Sequence, residues 1–165
     1  MAQGDRSIRL VLIASRDSAV ERFYVCEPDA DRITVLNQQG TPLFSFGNHG
    51  SSLGQFDRPT DIALVSIGPT DPSAPDDDAA VLAVADCGNH RVQFFELDGL
   101  ALWAIGGGTS GLPIAFPTRL AWRAPYLDVE CGGTGMLRVD LTAALSSTYV
   151  RVRSASVAAT PRGFA

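Results

Sequence analysis

At 165 residues, 45% of them hydrophobic and 19% charged, the chain is long enough for one ordinary domain and too apolar to remain globally disordered. A net charge of −5 and a pI near 4.8 exclude a generic polyanion binder, whose affinity rests on Lys and Arg contacts to phosphate. Cys26, Cys87 and Cys131 form no CxxC pair, so neither a disulfide framework nor a zinc knuckle is expected, and a reducing, cytoplasmic setting fits.

Short β-rich runs separated by Gly, Pro, Asn and Asp clusters follow one another along the chain. The first set is Ile8 to Ala14, Arg22 to Cys26, Arg32 to Leu36 and Pro42 to Phe46. Within it, Leu10 to Ala14 falls well short of the ~18 apolar residues of a membrane span and has no signal-peptide core. The second set is Asp61 to Ser66, Val81 to Ala85, Arg91 to Glu96 and Ala101 to Ile105. Residues 67–80 interrupt it with a Pro- and Asp-rich acidic loop, expected to be solvated. Its carboxylates Asp76, Asp77 and Asp78 are not followed by an EF-hand loop, so calcium is not expected. A weaker third set is Thr118 to Arg123, Tyr126 to Glu130, Leu137 to Leu141 and Thr148 to Arg153. No segment has a sustained 3.6-residue apolar period with caps, so little helix is expected beyond a turn near Leu141 to Leu145.

The first two sets are copies. VCEPDADRITVLNQQGTPLFSFG (25–47) superimposes without a gap on VADCGNHRVQFFELDGLALWAIG (84–106), aligning Arg32 with Arg91, Gly40 with Gly99 and Gly47 with Gly106, each 59 positions apart. A fixed period of this kind marks units that bury their apolar faces only by packing on neighbours. The expected fold is therefore all-β, a partial β-propeller of about three four-stranded antiparallel blades within residues 1–153. Blade 1 spans 8–46, blade 2 spans 61–105, and a degenerate blade 3 spans 118–153; a disordered tail, 154–165, follows.

VADCGNHRVQFFELDG (84–99) resembles the core of an NHL repeat, V-x-D-x-x-N-x-R-V-x-x-F followed by D-G. Gly54-Gln55-Phe56, Pro59 and Asp61-Ile62-Ala63-Leu64 resemble the segment that opens such a repeat, and the likeness covers roughly residues 22 to 122. In the first copy Pro28, Asp29, Ala30 and Asp31 stand where the second has Cys87, Gly88, Asn89 and His90, so that loop must close by another geometry. The resemblance implies a propeller that selects a protein or an RNA, including substrate recognition in ubiquitin-ligase systems; no RING pattern or coiled coil precedes the repeats here. It also allows a lyase with a metal in the propeller channel.

Asp86, Asn89, His90 and Arg91 gather a carboxylate, an imidazole and a guanidinium in one hairpin, but a loop that recurs once per repeat marks architecture and not a unique catalytic centre. Asp86 is expected to cap the turn, with Gly88 and Asn89 supplying positive φ. Arg32, Gly40 and Gly99 belong to the same repeat framework. With His49 and His90 the only histidines, no metal centre is expected, and no cofactor. No G-x-S-x-G elbow or phosphate loop occurs, so Gly106-Gly107-Gly108 reads as a flexible connection. Trp103 and Trp122, otherwise core residues, are the candidate interface anchors.

These readings favour a non-enzymatic scaffold that binds a protein. The alternatives are an RNA-binding face, which the net charge disfavours, a metal-dependent lyase, and a truncated product without independent function. Closed NHL-type rings have about six blades, so a head-to-tail homodimer is the expected way to close one.

Overall fold

The computed structural model describes residues 9–13, 22–67, 79–108, 111–133 and 135–142. Thr148 to Arg153, the tail 154–165, Asp76 to Asp78 and most of the turn expected at 141–145 lie outside them.

The described chain is all-β. Its strands are β1 (Arg9–Ile13), β2 (Arg22–Glu27), β3 (Arg32–Leu36), β4 (Pro42–Phe46), β5 (Pro59–Ile67), β6 (Ala79–Asp86), β7 (Arg91–Phe95), β8 (Ala101–Gly106), β9 (Pro117–Arg123), β10 (Tyr126–Cys131) and β11 (Gly135–Asp140). Each pairs antiparallel with its neighbour in sequence to give three sheets, β1-β2-β3-β4, β5-β6-β7-β8 and β9-β10-β11, which do not close into a ring. No helix among the described residues is long and apolar enough to cross a membrane.

Eleven of the twelve expected strands are found, with their ends moved by at most two residues. The acidic loop is shorter than expected, because β5 runs through Ile67 and β6 begins at Ala79. Apolar and β-branched residues carry both strands up to the edge of the Pro- and Asp-rich stretch.

Position 59 by position 59, the first two sheets share their backbone. Gly40 and Gly99 take φ of 76° and 91°, Gly47 and Gly106 take 89° and 88°, and Asp31 and His90, both non-glycine, take 49° and 55°. The pairing slips at Val35/Leu36 in one sheet and at Phe94/Phe95 in the other, which is again the same position.

The second sheet is packed on both faces, which is why every residue of β7 is buried. Val92 and Phe94 join Val65, Val81 and Ala83 against Leu127, Val129 and Val139 of the third sheet. Phe95, Leu82, Val84 and Ile62 meet Tyr24, Cys26, Ile33 and Val35 of the first. Each large apolar side chain so buried contributes on the order of 1.5–3 kcal/mol, so these two interfaces dominate the stability of the stack. Polar ties fix their alignment. The Tyr24 hydroxyl donates to Leu97 O at 2.7 Å, the Thr60 hydroxyl to Pro117 O at 2.9 Å, and Leu120 N–H to the Asp61 carboxylate at 2.8 Å.

Trp103 and Trp122 both pack against the cluster between the second and third sheets. Trp103 stacks on Phe94 with ring centroids 4.6 Å apart, and its indole N–H is buried without a partner. The candidate interface anchors thus sit at an internal contact. Phe94 offers Trp103 a flat apolar neighbour that solvent cannot match.

The outer face of the third sheet is largely charged, with Met136 and Tyr126 exposed among the charges. Register places Arg119 and Met136 beside Glu130, Arg138 and Ala121 beside Asp128, and Asp140 and Arg123 beside Tyr126. Arg138 grips Asp128 through two bonds of 2.6 and 2.9 Å, and Arg119 lies 3.8 Å from Glu130. Such alternation of apolar-in and charged-out belongs to a sheet with one wet face.

Candidate functional site

The sheet registers bring one set of loops to a common end. Glu27 faces Arg32, Ile33 faces Phe46, Pro59 faces Asp86, Arg91 faces Gly106, and Cys131 faces both Pro117 and Gly135. Loops 28–31, 47–58 and 87–90, with residues 107–108, 111–116 and 132–133, therefore share this end of the stack, and it holds both histidines.

At its centre the second hairpin clamps the loop that enters the second sheet. The Asp86 carboxylate, fully buried, accepts from Asp57 N–H on one oxygen, and from the side chains of Asn89, Arg91 and Gln93 on the other, at 2.8 to 3.0 Å. Arg91 spends its remaining donors on the carbonyls of Ser51, Ser52 and Gln55. Asn89 reaches Gly50 O. Gln93 donates to Gln55 O and accepts from Gly54 N–H. The motif residues are thus consumed in pinning residues 50–57, where backbone groups would otherwise go unpaired.

The pinned loop is compact. Phe56 N–H donates to Asn48 O and Gly50 N–H to Phe56 O, so His49 and Phe56 lie side by side as a parallel bridge. The Phe56 ring is fully buried, 5.4 Å from Phe95, and Gly47 is glycine because an added Cβ would lie 2.4 Å from that ring.

Two expectations about the turn need correction. Positive φ falls on His90 and not on Gly88 or Asn89. Gly88 is required by contact instead: its N–H donates to Asp57 O at 2.8 Å, and a Cβ there would meet the Asp57 carboxylate at 2.3 Å. The Gly106-Gly107-Gly108 run is also no free tether. A Cβ on Gly106 would stand 2.7 Å from His90 O, and Gly107 N–H donates to the same carbonyl.

Four non-glycine residues with positive φ, Asp31, Arg58, His90 and Phe116, lie at this end in two linked pairs. Arg58 N–H donates to the Asp31 carboxylate at 2.7 Å, and Phe116 N–H to His90 Nδ1 at 3.2 Å. Each hairpin thereby holds the entry to the next sheet. The first loop closes as a 3-10 turn, Pro28–Ala30, with Asp31 in the left-handed region as His90 is in the second, so its different composition did not require a different closing residue. Gly132 N–H bonds Phe116 O as Gly88 N–H bonds Asp57 O, so the third unit keeps that contact. The Phe116 ring is 52% exposed and meets His90 edge-on at 4.1 Å.

In the first sheet the positions equivalent to Asp86, Arg91 and Gln93 are Glu27, Arg32 and Thr34, which bond one another at the surface. The Arg32 guanidinium holds the Glu27 carboxyl below its ordinary range. Gly40 and Gly99 close the turns at the opposite end through N–H bonds to Asn37 O and Glu96 O. Burial raises the Cys87 thiol, so it is not poised as a nucleophile.

Sequence reasoning missed Gln93, an unspecified position of the motif, and did not connect Asp31, His49 and Asp57, which lie far apart along the chain and meet only because the 47–58 loop folds back. A polar residue between Val92 and Phe94 in β7 was the available signal for Gln93. No protein-family model matches the chain, and no curated protein matches it significantly.

Proposed function

We propose that the chain is a non-enzymatic, cytoplasmic binding module of NHL-like propeller blades that engages a protein partner through its loop end. The observation that carries this reading is Phe116. A large aromatic residue held at φ 47° costs on the order of 1–3 kcal/mol of backbone strain, and half of it stays open to a partner beyond its edge contact with His90. Exposed aromatic residues are the usual anchors of protein interfaces. Leu53 is also exposed on the loops of this end.

The polar cluster supports a scaffold over an enzyme, because Asp86, Asn89, Arg91 and Gln93 are occupied by backbone groups. Charge does not favour RNA: on the outer face of the third sheet Arg119, Arg123 and Arg138 are balanced by Asp128, Glu130 and Asp140, which leaves no basic stripe. Closure of a six-bladed ring by a second copy would have to bury that face, at a desolvation cost of several kcal/mol for each ion left imperfectly paired.

Quantitative affinity capture with the wild-type chain and with Phe116→Ser, each with and without ribonuclease, tests the proposal. A partner protein retained by the wild type, lost with Phe116→Ser and insensitive to ribonuclease is the expected result. Identical capture by a folded Phe116→Ser variant would overturn it.

A further inference from the structure

The corner where the first sheet hands over to the second brings together Asp31, His49 and Asp57, with one ligand atom from each lying within 4.8 Å of the others. The geometry points to a binding site for a divalent first-row transition metal at these three residues. Two carboxylates and one imidazole are a donor set that zinc and its neighbours accept, with positions left over for water or a partner's side chain.

The two carboxylates are held from behind, whereas the His49 side chain is 74% exposed and backed only through its backbone. Asp31 Oδ1 accepts the Arg58 amide, leaving Oδ2 directed at His49 Nδ1, 2.9 Å away. His49 is set beside Phe56 by the parallel bridge. Asp57 is fixed at both main-chain groups, N–H to Asp86 and C=O to Gly88, and the missing side chain of Gly88 leaves the room its carboxylate occupies. Among the described residues nothing donates a hydrogen bond to that carboxylate, so it is positioned without being used. Backing of this kind orients ligands and raises metal affinity.

Asp31 also ties the first hairpin to the Arg58 amide, but the side chains of His49 and Asp57 take no part in that tie. In the second corner His90 stands in place of Asp31, and there the corner is closed by an edge-on contact with the Phe116 ring. Among the described residues only the first corner gathers two carboxylates and an imidazole, and the side chains of His49 and Asp57 are separable from the ties that hold the corner.

The test is calorimetric titration of zinc chloride into the chelator-treated full chain, alongside melting curves and cobalt spectra. One zinc should bind per chain with micromolar or tighter affinity and raise the melting temperature. His49→Gln and Asp57→Asn should each weaken binding by about 10-fold or more. Asp57→Asn leaves every described hydrogen bond of the fold in place, so its metal-free melting temperature should match the wild type and separates lost ligation from lost folding. Cobalt should give ligand-field bands without thiolate charge transfer. Absence of saturable one-to-one binding, binding unchanged in both folded variants, or a thiolate band placing the ion on Cys87 would each overturn the assignment.

Discussion

Replacing Asp86 by Ala removes the hub of the clamp and leaves the Arg91 guanidinium without a counter-charge in a place where its side chain is only 11% exposed. Asn89 and Gln93 keep one carbonyl partner each, and Arg91 keeps three, but the Asp57 amide is orphaned. Breaking one side of a buried ion pair costs about 3–5 kcal/mol, a large part of the 5–15 kcal/mol that holds a typical domain together. With a urea dependence of about 2 kcal/mol per molar, the unfolding midpoint should fall by roughly 2 M. Glu27→Ala removes the equivalent carboxylate of the first sheet, where the pair is exposed, and should move the midpoint only slightly. Adding Arg91→Met to Asp86→Ala should recover part of the loss, because no unpaired charge is then left buried. Equal midpoints for Asp86→Ala and Glu27→Ala, with unchanged slopes, would refute the reasoning.

Gly106→Ala forces a side chain onto φ 88° and to within 2.7 Å of His90 O, and should cost on the order of 3 kcal/mol; Gly108→Ala, at φ 80° with open space around it, should cost about 1 kcal/mol by denaturation. Equal costs would show that the glycine run is a tether. Acid should weaken the fold through Glu27 and Asp128, held below the ordinary carboxylate range by the guanidinium groups of Arg32 and Arg138. Because the folded values are depressed, their stabilisation is present above about pH 4 and is lost as pH falls through the lowered values. Arg138→Gln should therefore flatten the acid limb of a plot of melting temperature against pH, and an unchanged limb would contradict the role given to this pair.

The strands were legible because alternation, β-branched residues and turn-forming Gly, Asn and Asp agree at every hairpin, and the 59-residue period located both copies of the glycine framework. What stayed hidden depends on contacts between distant segments. Gly88 looks like a turn glycine, yet its need comes from the Asp57 carboxylate, thirty-one positions earlier. Arg32 keeps the bond to its carboxylate, Glu27, that Arg91 makes to Asp86, and what the sequence does not show is that Arg91 alone of the two also binds three loop carbonyls among the described residues. The metal-ligand set could not be read from spacing, since a corner between two sheets assembles it.

Residue-resolved amide hydrogen exchange over residues 50 to 58 tests most directly whether the second hairpin is a clamp. The Gly54 and Asp57 amides, bonded to the side chains of Gln93 and Asp86, should exchange as slowly as the amides of β7 and lose that protection in Asp86→Ala. Exchange of both amides at the rate of an unstructured peptide in the wild-type protein would contradict the account.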